Sequence, residues 1–337
     1  MREMFVRACV LLGAVFLCLP YNIASGQEPV ISKRVRVVAT LFPLYDFVRE
    51  VGGARVEAVL LLPPGVEPHM YEPRPSDVAT INSADIFVYT SDTMEPWVMR
   101  LLPSITNQNL LIMAASNSLL RIEDGTVKPV SSSEPQDPHF WLVFQNDLAI
   151  LDDIVDDLVT ADEEGRELYR QRAEAYKARL TDLDRRYESA LRDCRTRTIF
   201  YSGHAAFGQL ARRYGLDMVS PYAGFSPDAE PTPRAVAGLI SGMKSAGVKT
   251  VFFEELIDPK IARIIADETG AAAELLSAAH NVTEEELQLG VTFLAIMEDN
   301  LAKLRKGLEC LPRPAWPLLR EIISALSGPM GREKPLW

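Results

Sequence analysis

Histidine, basic charge and long apolar runs are all scarce in this chain, and each shortage excludes something. Only four histidines occur in 337 residues, and no histidine-rich tract is present. Lysine and arginine number 35 against 46 aspartates and glutamates, a net charge of −11. That balance argues against nucleic acid and anionic membranes as partners and is compatible with cations. No HExxH pair exists, so the two-histidine helical motif of many hydrolases is missing. Repeats and disorder-prone composition are absent as well.

The one long apolar run is N-terminal. Arg2 and Arg7 precede "ACVLLGAVFLCL", and Pro20 and the small-residue stretch "ASG" follow it before Gln27. That is the pattern of a secretory signal, too short to span a bilayer. Residues 1–26 are therefore expected to be removed near Gly26, which makes the net charge one unit more negative. Cys18 follows Leu17, where a lipid-anchor site needs a small residue, which argues against a lipoprotein. Two cysteines remain, Cys194 and Cys310. In an oxidising compartment they can pair, or they can be two buried thiols, and spacing does not choose between these.

What is present is an α/β alternation with 47% hydrophobic residues, enough for two domains with cores. "VRVVAT", "VEAVLLL", "IFVYTS" and "LLIMAA" read as strands, with "PLYDFVREVGG", "RPSDVATINSA" and "EPWVMRLL" as helices between them. A second series follows: "TIFYS", "LDMVSP", "TVFFEE" and "AAAELL" alternate with helical "AAFGQLARRYG", "TPRAVAGLISGMKSAG" and "PKIARIIADETG". Such alternation yields mostly parallel sheets. Between the series, Tyr169, Ala173, Tyr176, Leu180, Leu183, Tyr187 and Ala190 recur at spacings of four and three, one face of a single long helix with Asp162 as its expected N-cap. The expected organisation is two α/β lobes, residues 27–161 and 195–337, joined by a rigid helix over 162–194, with little opening motion. Residues 123–137, polar and rich in Pro and Ser, read as a surface loop.

The histidines share a kind of position. His69, in "VEPHMYEPRPSD", lies beyond the carboxyl end of a strand and before a helix. His204 in "YSGHAAFG" and His280 in "SAAHNVTEEEL" repeat the placement, the latter before a capping box of Thr283 and Glu286. His139 in "DPHFWL" follows a loop but also precedes a helix. Ligands bind at the carboxyl ends of strands in open α/β sheets, and two histidines fall on that rim in each lobe. Imidazole suits zinc and other borderline metals, and four protein ligands close a coordination shell, which describes binding more naturally than catalysis. Glu254, ending "TVFFEE", reads as a ligand or as an acceptor fixing a ligand's ring. Glu255 reads as a solvated residue.

These residues resemble the zinc/manganese-type periplasmic solute-binding proteins of ABC importers. The similarity runs through "VVATLFPLYDFVREVGG", "GVEPHMYEPRPSD", "DPHFWL", "GHAAFGQLARRYGL" and "VFFEELIDPKIARIIADETGA". The resemblance implies a mononuclear site between two lobes with His69, His139 and His204 as ligands. It also implies membrane permease subunits as partners, a periplasmic or otherwise extracytoplasmic location and a monomer. Histidine rather than carboxylate at the third position points to Zn²⁺. At the fourth position many relatives carry Asp, and two registers are open here, Ser277 or His280. Ligand chemistry favours His280, with water or Glu254 as the alternative. The long His/Asp-rich loop of many zinc-binding relatives is reduced to residues 123–137. The rival readings are the same role for Mn²⁺ or Fe²⁺, a secreted zinc hydrolase with Glu254 as base, and an added adhesin role. Because imidazole binds metal only when neutral, affinity is expected to fall through about pH 6 to 7.

Overall fold

The computed structural model describes residues 33–123, 126–129, 137–225 and 230–311. The signal-peptide reading and residues 130–136 of the polar segment lie outside the described residues. Strand β1 (Val35–Ala39) leads to helix α1 (Phe42–Gly52), which opens with Pro43 and ends where Gly53 takes φ 53°. Then come β2 (Val56–Leu60), α2 (Pro75–Asn82), β3 (Ile86–Tyr89), α3 (Pro96–Leu101) and β4 (Leu111–Ala114). The four strands form one parallel sheet in the order β2-β1-β3-β4. β3 is buried along its whole length, as strands covered on both faces are.

A correction concerns the polar segment. Part of it pairs as an antiparallel hairpin of β5 (Leu120–Glu123) and β6 (Thr126–Pro129). Helices α4 (Phe144–Ala161) and α5 (Arg166–Leu191) follow.

The second lobe comprises β7 (Thr198–Phe200), α6 (Gly208–Arg213), β8 (Asp217–Val219), α7 (Pro233–Ala246), β9 (Thr250–Phe253), α8 (Lys260–Thr269), β10 (Ala272–Leu275), α9 (Glu284–Gln288) and α10 (Phe293–Gly307). The pairs β7–β8 and β9–β10 are parallel, and a parallel bridge between Tyr201 and Phe252 joins them. Thr232 caps α7 by accepting from the Ala235 amide, and α9 carries the Thr283–Glu286 capping box.

Helix α5 is the 26-residue joint between the lobes. Tyr169, Ala173, Tyr176, Leu180, Leu183 and Tyr187 are buried, and at its end Leu191 is buried where Ala190 is only partly so. Asp162 does not cap it. A short 3₁₀ turn, Glu163–Gly165, intervenes, and the Asp162 carboxylate accepts from Arg55 at 2.6 and 2.7 Å and from the Tyr169 hydroxyl at 2.5 Å. A bidentate guanidinium outcompetes a local backbone amide for a carboxylate.

One continuous core runs through both lobes and α5, with a smaller cluster of Phe200, Leu239, Met243, Val248, Val251 and Ile265 under α7 and α8. Polar bonds join the lobes too. Asp46 of α1, fully buried, accepts from Arg49 (2.6 Å), from Tyr176 of α5 (3.3 Å) and from the backbone amide of Phe293 at the start of α10 (2.8 Å). Burial pushes its carboxyl up to about 6 despite those bonds. Its folded pKa thus lies above its unfolded one, so the native state takes up a proton first as pH falls. Metal-free wild type is expected to gain stability of about 1 kcal/mol from this group between pH 7 and 5. Buried Asp147, also shifted up by burial, acts in the same direction. The difference between wild type and Asp46→Asn in urea midpoints isolates the contribution of Asp46. Equal pH dependence in the two proteins would refute it.

Finally, Cys194, just past α5, is disulfide-bonded to Cys310, just past α10. Among the described residues, no helix is long and apolar enough to cross a membrane.

Candidate metal centre

Each histidine is delivered by a strand-to-helix connection: His69 between β2 and α2, His204 between β7 and α6, and His280 between β10 and α9. His139 precedes a 3₁₀ turn, Phe140–Leu142, that leads into α4. The connections converge, and one ligand-type atom from each ring lies within 4.8 Å of every other. His139, His204 and His280 are 0, 2 and 4% exposed. His204 Nε2 and His139 Nε2 face each other at 3.1 Å, and the Nε2 atoms of His69 and His280 are buried without a hydrogen-bond partner.

The ring centres are almost equally spaced. The pairs His139–His280, His139–His204 and His69–His204 are 4.9, 5.0 and 5.1 Å apart. The pairs His204–His280, His69–His139 and His69–His280 are 5.3, 5.5 and 5.6 Å apart. Four points equidistant from one another define a tetrahedron. With Zn–N near ~2.0 to 2.1 Å an ion sits about 3.2 Å from each ring centre, which puts tetrahedral ring centres about 5.2 Å apart.

On three of the four rings the opposite nitrogen faces a carboxylate. Asp137 Oδ1 lies 2.8 Å from His139 Nδ1 and also accepts from the His139 amide. Glu254 Oε2 is 2.6 Å from His204 Nδ1, off the ideal hydrogen-bond line, and accepts from the His204 amide at 3.2 Å. Gly203 is required for that approach, since a Cβ there would stand 2.4 Å from Glu254 Oε2. Gly203→Ala is therefore expected to push Glu254 off His204 and weaken metal binding tenfold or more. A Kd within twofold of wild type by chelator competition would show the contact to be dispensable.

Glu255 corrects the solvated reading. Its side chain is 10% exposed, and it accepts from His280 Nδ1 at 3.0 Å and from the amides of Ala278 and His280. Those bonds fix a loop in which Ala279 takes φ 58°, beside Leu256 at φ 63°, conformations that cost L-residues about 1 to 2 kcal/mol each. Ser277 lies outside the cluster, and its backbone instead pairs with the Asn300 side chain. Trp141 packs 5.4 Å from the His139 ring and 5.5 Å from that of His280, and its indole N–H donates to Ala278 O across the lobes. Asn281 of "NVT", 2% exposed, donates to Pro63 O and Val66 O.

Sequence reasoning missed Asp137, Glu255 and Trp141. Asp137 carried a local signal, two residues before His139. Glu255 had none, being 25 residues from His280.

The charges differ from ring to ring. Burial, then the charges of His280 and His204, push His69 down to about 2, and burial holds His139 well below its usual value. Burial also penalises a charged His280, but the hydrogen bond and charge of Glu255 outweigh it and raise its pKa, while lowering that of Glu255. Burial lifts Asp137 to about 7 and raises Glu67, the latter opposed by the charges of His280 and His204.

Two α/β lobes on one long helix, with polar side chains gathered at the strand ends of both, define a solute-binding protein of the metal-binding class. Residues 37–307 match the family model described as zinc-uptake complex component A, periplasmic. The chain is 33% identical over 310 residues to the high-affinity zinc uptake system protein ZnuA of Bacillus subtilis strain 168, covering 90% of this chain and 96% of that protein. It is 31% identical over 324 residues to the zinc-binding protein AdcA of Streptococcus pyogenes serotype M1, covering 90% of this chain but only 62% of AdcA. Among solved structures, it resembles the Zn(II)-bound ZnuA-like domain of Streptococcus pneumoniae AdcA with a TM-score of 0.68 at 32% identity, over 82% of this chain and 99% of that domain. The chain belongs to the ZnuA family of solute-binding proteins. The matched family and relatives are described by zinc uptake and zinc binding, not by hydrolysis.

Proposed function

We propose that this chain is an extracytoplasmic receptor that captures Zn²⁺ between its lobes through His69, His139, His204 and His280 and delivers it to the membrane subunits of an ABC importer. It acts as a monomer without nucleic acid, with lobes at 27–161 and 195–337 on the 162–194 joint. The observation that carries the reading is the near-regular tetrahedron of ring centres, with two buried Nε2 atoms lacking partners. Four imidazole nitrogens in that geometry suit Zn²⁺, whereas Mn²⁺ favours octahedral oxygen sites. The zinc names of the relatives point the same way. Glu254 and Glu255 hold rings from outside the cluster, as acceptors rather than ligands. Direct bonds that bypass the histidine cluster join the lobes, so loading is expected to move them little.

The test is elemental analysis of chelator-stripped protein offered equal Zn²⁺ and Mn²⁺ and then desalted. One zinc per chain is expected, and bound manganese or no metal would overturn the reading. His280 sets the pH response, because the Glu255 hydrogen bond and charge favour the protonated ring that Zn²⁺ must displace, whereas burial favours the neutral form of His69 and His139. Kd is expected to rise about tenfold per unit as pH falls below the His280 pKa, beginning above about 6.5. Chelator competition from about pH 8 to about pH 6 checks this, and a flat profile would contradict it.

A further inference from the structure

His139, His204 and His280 are nearly sealed from solvent, and the Nε2 of the half-buried His69 is covered as well, so a cation needs a route to them. A narrow cavity touches the cluster between the turn holding Glu67 and Pro68 and the turn from Glu254 to Ile257, and both His204 and His280 line it. Its three carboxylates differ in how they are engaged. Glu255 has both oxygens occupied by Ala278 and His280. Glu254, 6% exposed, uses Oε2 at His204, and its Oε1 is buried with no partner. Glu67 sits on the turn that carries Met70 at 64% exposure; its Oε2 accepts from the Met70 amide at 3.1 Å. Glu67 is not one of the clustered ligands. A partly dehydrated cation on this path thus meets a half-buried carboxylate first and an unpaired, deeply buried carboxylate oxygen next, before two imidazoles.

We propose that this cavity is the route by which the divalent cation reaches the histidines, with Glu67 as the residue that captures it at the mouth and Glu254 Oε1 as the relay inward. The proposal rests on the zinc-receptor reading. Carboxylate oxygens exchange water and cation faster than a closed nitrogen cage forms, and charge at a narrow mouth raises local cation concentration. Capture should therefore show in the association rate and not in the final coordination.

Stopped-flow uptake of Zn²⁺ at pH 7.5 tests it with Glu67→Gln, which keeps an acceptor for the Met70 amide, and Glu67→Asp, which keeps the charge. For Glu67→Gln the association rate constant is expected to fall about fivefold at low salt and less at high salt. Dissociation and the Co²⁺ absorption spectrum should stay unchanged, and Glu67→Asp should restore most of the rate. An unchanged association rate in Glu67→Gln would overturn the route. Faster dissociation with an altered Co²⁺ spectrum would also overturn it, by making Glu67 a ligand. Failure of the wild type to take up Zn²⁺ would strike the receptor reading itself, which distinguishes the two.

Discussion

Replacing His139 with alanine is expected to weaken Zn²⁺ binding by about a thousandfold. Sites of this kind bind with roughly 10 to 16 kcal/mol shared among four ligands, so losing one removes about 4 kcal/mol. His139 is fully buried, its Nε2 faces that of His204, and its Nδ1 is held by Asp137, so its ring is fixed in place for coordination. Chelator competition gives the affinity, and the melting temperature gives a second readout. A ligand at a thousand times its Kd stabilises the native state by about 4 kcal/mol, so the zinc-induced rise in Tm should vanish in the variant at the same zinc concentration. A variant that binds within tenfold of wild type would remove His139 from the ligand set.

Breaking Cys194–Cys310 is the second large effect. The bond closes a loop with a sequence separation of 116 that encloses nearly the whole second lobe. In the chain-entropy view such a loop contributes about 4 to 5 kcal/mol by restricting the unfolded chain. Cys194→Ser/Cys310→Ser is therefore expected to melt roughly 10 °C below wild type when both are metal-free. Zinc affinity should stay within a few fold, because the backbone around the bridge is also paired, Arg195 N to Glu309 O and Thr196 N to Leu308 O. An unchanged Tm would show that those bonds already restrict the chain end.

The two effects separate roles that the fold combines. The histidines are expected to act through the bound ion, whereas the disulfide, the shared core and Asp46 join the lobes through contacts the histidines do not make. The loop carrying His280 illustrates this. Its carbonyls accept from Phe42 N, from Gly65 N at Val282 and from Trp141 at Ala278, all first-lobe donors. A scattering profile that compacts strongly on zinc loading would contradict this preformed state.

Much of this was legible in the sequence because it depends on local pattern. The four-three spacing of Tyr169, Tyr176, Leu180 and Tyr187 dictates a helix with one buried face, and β-rich runs alternating with helices dictate parallel sheets. The strand-end placement of His69, His204 and His280 follows from the same alternation. Chemistry that depends on distant pairs was not legible. Asp162 offered itself as a helix cap until Arg55, 107 residues away, claimed its oxygens. Glu255 read as solvated until the fold laid the loop of Ala278 and His280 across it. Nor could spacing decide whether Cys194 and Cys310 meet. The sequence by itself determined most of the elements, the β5–β6 hairpin excepted, and that every histidine sits at the mouth of one, since both follow from residues close in the chain. Only the tertiary structure decided that the four rings form a tetrahedron and which carboxylates hold three of them, because directions and distances between remote segments exist only after the shared core has packed.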